Sequence, residues 1–213
     1  MIFRGNLVAT FTVVASALVI GTAVADVTEP YPVQLRSATV HRKQDTCPGS
    51  NARLTHAKCS MNIEFPSVDC DLVKEEIFAR VNASAKNTGK WIDPHNGGIY
   101  TLVDKEENMN NGGSITLDIS RLSGNRKYVD LVRYTLETDP DTGTCNVAAC
   151  SESQVTSVID YSTNYCNIRN LYCSSNDGCQ PVKHDFSNTE IVEEYLSCSQ
   201  RDVEQCIVEV EED

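Results

Sequence analysis

Positive charge is scarce in this sequence. Eighteen Lys and Arg stand against thirty Asp and Glu in 213 residues, a formal net charge of −12. That balance argues against a nucleic-acid binder, which needs a basic face for phosphates. Catalytic signatures are missing too: no HExxH, GxSxG, GxGxxG or P-loop string occurs. There is no C-x-x-C pair, and the closest cysteines, Cys145 and Cys150, have four residues between them, so structural zinc and thioredoxin-like chemistry lack support. After residue 25 no hydrophobic stretch reaches spanning length, which leaves no expected membrane span in the remaining chain. With 40% hydrophobic and 23% charged residues the chain is neither collagen-like nor broadly disordered, and its length suits one domain.

What is there begins with an address. Arg4 precedes an apolar or small-residue run from Leu7 to Ile20, and Ala23 and Ala25 supply an A-x-A cleavage pattern before Asp26. This is the order of a secretory signal peptide over residues 1–25. The alternative is an uncleaved anchor, since Leu7–Ala25 is 19 residues, but Thr, Ser and Gly dilute it. Cleavage leaves 188 residues at net −13, with −8 of that in Glu190–Asp213.

Ten cysteines lie beyond the signal: Cys47, Cys59, Cys70, Cys145, Cys150, Cys166, Cys173, Cys179, Cys198 and Cys206. An even count behind a signal peptide predicts five disulfides in an oxidising compartment, with no metal and no cofactor. Their pairing does not follow from spacing. Seven of the ten follow residue 144, so the C-terminal third is the expected stapled part.

Residues 26–49 are a polar lead-in, 50–186 a single disulfide-rich α+β domain, and 187–213 an acidic segment tied by cysteines. Alternation from Thr55 to Phe65 predicts a half-buried strand ended by Pro66. Leu72, Val73, Ile77 and Val81 recur at helical spacing opposite Lys74, Glu75 and Arg80, predicting a helix over Asp69–Lys86 with Asp69 and Asp71 as caps. Asn82-Ala-Ser84 is a glycosylation sequon. Strands are expected at Ile99–Asp104, Ser114–Leu122, Tyr128–Glu137, Cys145–Ala149 and Gln154–Tyr161, with turns at 108–113, 123–125 and 139–143. Cys166–Cys179 reads as a pinned irregular loop, Ile191–Cys198 as helix or strand, and Cys206–Val210 as a charged edge strand. One long helix packed on a curved antiparallel sheet suggests a cystatin or NTF2-like roll. The protease-inhibiting QxVxG hairpin is absent, because Gln154-Val-Thr-Ser-Val158 lacks the central Val and the Gly.

Two loops hold candidate chemistry. Trp91-Ile-Asp-Pro-His-Asn-Gly-Gly98 places Asp93, His95 and Asn96 beside Trp91; Trp91, His95, Asn96 and Tyr100 form a candidate binding set. Pro181–Phe186 adds His184 and Asp185. Brought together, His95 and His184 with Asp93 and Asp185 would make an acid/base pair or a small metal site. The competing account is that Asp-Pro and Asn-Gly-Gly build turns under Trp91, and it explains more of these residues. Asp139-Pro-Asp-Thr-Gly143 lacks the third side chain and distal Glu of a calcium loop and reads as a hairpin turn.

Four phrases, Trp91–Tyr100, Gly124–Asp130, Cys150–Val155 and Ser162–Cys173, resemble those of a set of small secreted, cysteine-rich eukaryotic proteins of unknown function. That set shares WxDPHNxGxY, TGNxKYxD, CSESQV and STNYCNxxNLYC, and the likeness spans roughly Cys47–Phe186. The resemblance implies secretion and a disulfide-bonded single domain; it implies no activity. The sequence therefore favours an acidic, secreted extracellular glycoprotein that binds a small ligand or another extracellular protein. The alternative is a small hydrolase or isomerase using the 91–98 and 181–186 loops, and a purely structural role stays open.

Overall fold

A computed structural model describes residues 47–49, 55–86, 91–103, 108–109, 113–157, 159–191, 198 and 200–207. All of them fall in one compact unit, Arg42–Asp213. The signal peptide expected at 1–25, most of the expected lead-in at 26–49, the last residues of the acidic segment at 208–213, and most of 192–199 lie outside the described residues.

The architecture is α+β. Seven strands form one antiparallel sheet: β1 (Lys58–Phe65), β2 (Ile99–Leu102), β3 (Asn108–Met109), β4 (Ile115–Leu122), β5 (Val129–Thr138), β6 (Cys145–Ser153) and β7 (Thr189–Ile191). The order across the sheet is β2-β4-β5-β6-β1-β7, with β3 also paired to β4. Two helices, α1 (Cys70–Lys86) and α2 (Thr163–Arg169), pack against it.

Register lays the inner face out in rows. Ile115, Leu136, Val147 and Ile63 stand opposite one another, as do Leu117, Tyr134, Ala149 and Met61. Both rows are buried, and they form the core with Val73, Ile77 and Val81 of α1. Each such aliphatic side chain contributes about 1.5–3 kcal/mol on burial. The next row, Ile119, Val132, Ser151 and Cys59, admits one polar side chain, Ser151. The last, Tyr100, Arg121, Asp130 and Ser153, carries charge. The inner face thus grades from apolar to ionic along the strands.

α1 starts where the caps predict: the Asp69 carboxylate accepts from the Asp71 N–H at 2.8 Å. Its buried stripe differs from the expected one. Leu72 is 41% exposed, whereas Glu76 and Arg80 are fully buried. Arg80 Nε donates to Glu76 at 2.6 Å, and its other nitrogens donate to the carbonyls of Asn170 and Cys173. Glu76 also accepts the backbone N–H groups of Val182, Lys183 and His184. Burial raises the Glu76 pKa, but these backbone donors and Arg80 outweigh it and hold the group below its ordinary value.

All ten cysteines pair: Cys47–Cys150, Cys59–Cys198, Cys70–Cys145, Cys166–Cys206 and Cys173–Cys179. Stapling is less concentrated in the last third than the cysteine count suggests, because three bridges run from there back to β1, α1 or the segment before them. Each bridge adds roughly 2–4 kcal/mol by restricting the unfolded chain.

Other expectations need correction. Segment 154–157 is bend and coil after β6 and not a strand, although Gln154 N–H still donates to the Val129 carbonyl. Cys166–Cys179 is not irregular throughout, since α2 and a 3-10 turn at Ser175–Asp177 fall in or against it. Cys206 closes a 3-10 turn, Val203–Cys206, and is not in an edge strand. Within Ile191–Cys198, Ile191 ends β7 and Cys198 makes a bridge to Cys59. The 139–143 segment is a hairpin turn, its Asp139 carboxylate accepting from the Asp141 and Thr142 N–H groups.

Candidate functional site

The charged row at the end of the sheet is braced from three sides. Arg121, fully buried, donates from Nε and Nη2 to Asp93 Oδ2 at 3.1 and 2.6 Å, and from Nη2 to Asn96 Oδ1 at 2.7 Å. Asp93 also accepts from the backbone of His95 and Gly98, so one carboxylate both shapes its turn and neutralises Arg121. The turn-building account of the Asp-Pro-His-Asn-Gly-Gly loop therefore describes it, with an ion pair added. Gly98 is needed for close approach: a Cβ there would sit 2.5 Å from Arg121 Nε. Gly124 is needed likewise, as a Cβ would fall inside contact of the Asn96 carbonyl oxygen.

The second brace is α2 and the residue after it. Asn164, Asn167 and Asn170, three apart and all fully buried, present amides to the polar rows. Asn164 donates to Asp160 Oδ1 at 2.7 Å and to the Ala57 carbonyl, and accepts from Ser151. Asn167 donates to Asp130 Oδ2 at 2.8 Å, and Asn170 to Asp93 Oδ1 at 2.9 Å. Ser153 donates to the other Asp130 oxygen. Buried amides of this kind hold carboxylates in place because each lost bond would cost the desolvation of the group left behind.

The third brace is His95. A carbonyl can only accept, so the 2.5 Å contact to Gln205 O puts the proton on Nδ1 and leaves Nε2 facing the Thr163 hydroxyl at 3.4 Å. Both ring nitrogens are thus committed to joining the 91–98 loop to α2 and the 203–206 turn.

One cleft, about 700 Å³, opens over this row. Arg121, Asp130 and Asp160 lie in its wall, together with Asn96, Ser153 and Thr163. Its rim carries Tyr128, Val155, Ile159 and Tyr161, which are 50%, 41%, 60% and 69% exposed. Burial raises the Asp160 pKa; hydrogen bonds from Asn164 oppose this, the Asp130 carboxylate adds to it, and His95 opposes it. Four buried atoms around this row find no hydrogen-bond partner among the described residues: Arg121 Nη1, which lies 3.8 Å from Asp130 Oδ2, the Tyr100 hydroxyl, and the Oδ1 atoms of Asn167 and Asn170. Tyr100 lies under Arg121, 5.6 Å from ring centroid to guanidinium, and packs on Trp91. Burial pushes its phenol well up.

Of the sequence candidates, Trp91, Asp93, His95, Asn96 and Tyr100 all gather behind or beside this cleft. His184 and Asp185 do not join them. His184 Nε2 meets Glu75 at 2.8 Å, its ring stacks on Phe186, and Asp185 accepts from Ser175. Lys183 and His184 donate to Glu75 and hold its carboxyl down at about 2. His95 and His184 share no partner among the described residues. Also among these, no cluster of three or more His, Cys, Asp or Glu is placed to hold a metal ion, and no helix is long and apolar enough to cross a membrane.

Sequence reasoning missed Arg121, Asp130, Asp160 and the three asparagines. The spacing Asn164, Asn167, Asn170 was a usable signal, since residues three apart share a helix face. The four phrases Trp91–Tyr100, Gly124–Asp130, Cys150–Val155 and Ser162–Cys173 are brought together around this one end of the sheet. No protein-family model matches the chain, and neither a curated protein nor a solved structure is significantly similar to it.

Proposed function

We propose that this is a secreted binding protein whose ligand sits in the cleft over Arg121, Asp130 and Asp160. The observation that carries the reading is the pairing of an ionic, cross-braced floor with an apolar rim. Buried charges are costly to keep, and apolar side chains left open beside them serve no purpose in the core. A cleft of this size with a few convergent polar groups suits a small molecule or a short polymer. Five disulfides support an oxidising, extracellular location, as does the signal peptide expected at 1–25. Asn82, exposed on α1, suits a glycan. The alternative enzyme, built on His95 and His184, gains no support from two histidines with separate partners.

A screen of small amphipathic fragments, followed by amide NMR of the labelled protein, tests this. Shifts confined to residues 121–130 and 153–163 are expected. Shifts elsewhere, or none, would remove the cleft from consideration.

A further inference from the structure

The cleft does not end at its rim. Tyr161 also forms one wall of a second hollow, about 380 Å³, lined by Ser162, Gln200, Arg201, Asp202 and Gln205. The exposed tyrosine is a ridge between two depressions, and it is held there at a conformational cost. Tyr161 and Ser162 have φ of 48° and 60°, two consecutive left-handed residues without glycine.

We propose that the two hollows form one groove for a neutral oligosaccharide, with a pyranose ring lying on the face of Tyr161. This rests on the reading of the cleft as the ligand seat and adds the ligand's chemical class.

The wall chemistry selects among classes. Arg121 Nη1, on a fully buried side chain in the cleft wall, has no hydrogen-bond partner among the described residues, lies 3.8 Å from Asp130 Oδ2, and can take an acceptor. Among the described residues Asp160 Oδ2 has a single long contact, 3.3 Å from the Asn164 backbone nitrogen, and can take a further donor. An anion would answer Arg121 but face Asp130 and Asp160. A cation would answer Asp160 and leave Arg121 unmet. Hydroxyl groups both donate and accept, so neighbouring hydroxyls on one sugar ring satisfy both without adding charge. The remaining cleft wall is largely amide and hydroxyl, with Asn96, Asn125 and Ser153, and beyond the ridge Gln200 and Gln205 stand with one charge of each sign, Arg201 and Asp202. Tyr128 and Ile159 offer apolar surface to the C–H faces of a ring. Two depressions sharing one aromatic wall call for a ligand longer than a monosaccharide.

The test titrates the labelled full chain with cellotetraose, maltotetraose, mannotetraose and N-acetylchitotetraose. Glucose, tetragalacturonate and the deacetylated chitosan tetramer are titrated in parallel. At least one neutral tetrasaccharide is expected to shift amides on both sides of the ridge, near Tyr128 and Ile159 and near Gln200 and Gln205. It should bind about tenfold more tightly than glucose, and Tyr161→Ala should cost about tenfold. Tyr161 is exposed, so this variant keeps the core; Asp160→Asn, expected to fold at least as stably, provides a second loss of binding. Binding by none of the neutral sugars, equal or tighter binding of either charged one, or shifts in one hollow alone overturns the assignment. If fragments still map to the cleft while sugars do not, the oligosaccharide fails and the ligand seat stands; if fragments fail as well, both fall.

Discussion

Asp160 and Tyr161 are neighbours that both work against the stability of the fold. A carboxyl whose folded pKa is raised keeps a proton that the unfolded chain has released. Stability therefore falls as pH rises from the unfolded value, about 3.9, through the folded one, and the deficit persists above it. Asp160→Asn keeps an oxygen for the Asn164 amide and removes the charge. Thermal melts are expected to show the variant gaining on the native protein as pH rises above about 4, and a parallel loss for both would refute this. Tyr161 offers a separate measurement. Left-handed backbone costs a non-glycine residue roughly 1–2 kcal/mol, part of which glycine returns as unfolded-state entropy. Tyr161→Gly should stabilise by about 1 kcal/mol in urea unfolding. If it destabilises, the ring contributes packing that its 69% exposure does not suggest.

At the scale of elements, α1 depends on a charge that its sequence pattern places in water. Glu76→Gln leaves Arg80 buried without its counter-ion and weakens the grip on the 182–184 backbone. A loss of about 3–5 kcal/mol is expected in denaturant titration, and a change under 1 kcal/mol would show that the pair adds little. Arg80 illustrates where sequence patterning stops. Alternation found β1, β4 and β5 because one face of each meets apolar partners. It stopped β6 at Ala149, four residues early, because Ser151 and Ser153 point inward as polar groups. It then read a strand at 154–161 from Val155 and Ile159, which are apolar but form the rim of the cleft. The same blindness hid α2, whose inward face is asparagine. Apolar periodicity reports the core, so it fails where the interior turns ionic. Of the site, the Asp93 to Asn96 loop was legible through its local turn chemistry. Arg121 and Asp130 were not, since each lies far along the chain from the groups that hold it; Asp160, held by Asn164 four residues on, fell in a segment read as a strand.

For the whole molecule, the bridges decide which parts must be present together. Cys166–Cys206 ties α2 to the turn whose Gln205 carbonyl receives the His95 proton. The double substitution Cys166→Ser, Cys206→Ser should cost about 2–5 kcal/mol. It should also raise amide exchange at residues 93–98 and 163–170 above that at β4 and β5. Uniform loosening of the whole sheet would argue instead that this bridge supports the core. Charge adds a second property at this scale: with thirty acids against eighteen bases, any attraction to a basic surface should fade with added salt. The pairing of His95 with Gln205 also has a bearing on how the protein is made. A chain that emerges from its N-terminus can build the apolar rows of the sheet once β6 has appeared. Its charged end stays unfinished until residue 206 is exposed to oxidant, some fifty residues later. During synthesis the molecule therefore passes through a stage with a core and an unfinished cleft, in which Arg121 and Asp93 are not yet closed in by α2. That interval is when a chaperone or a premature disulfide would have the most to act upon.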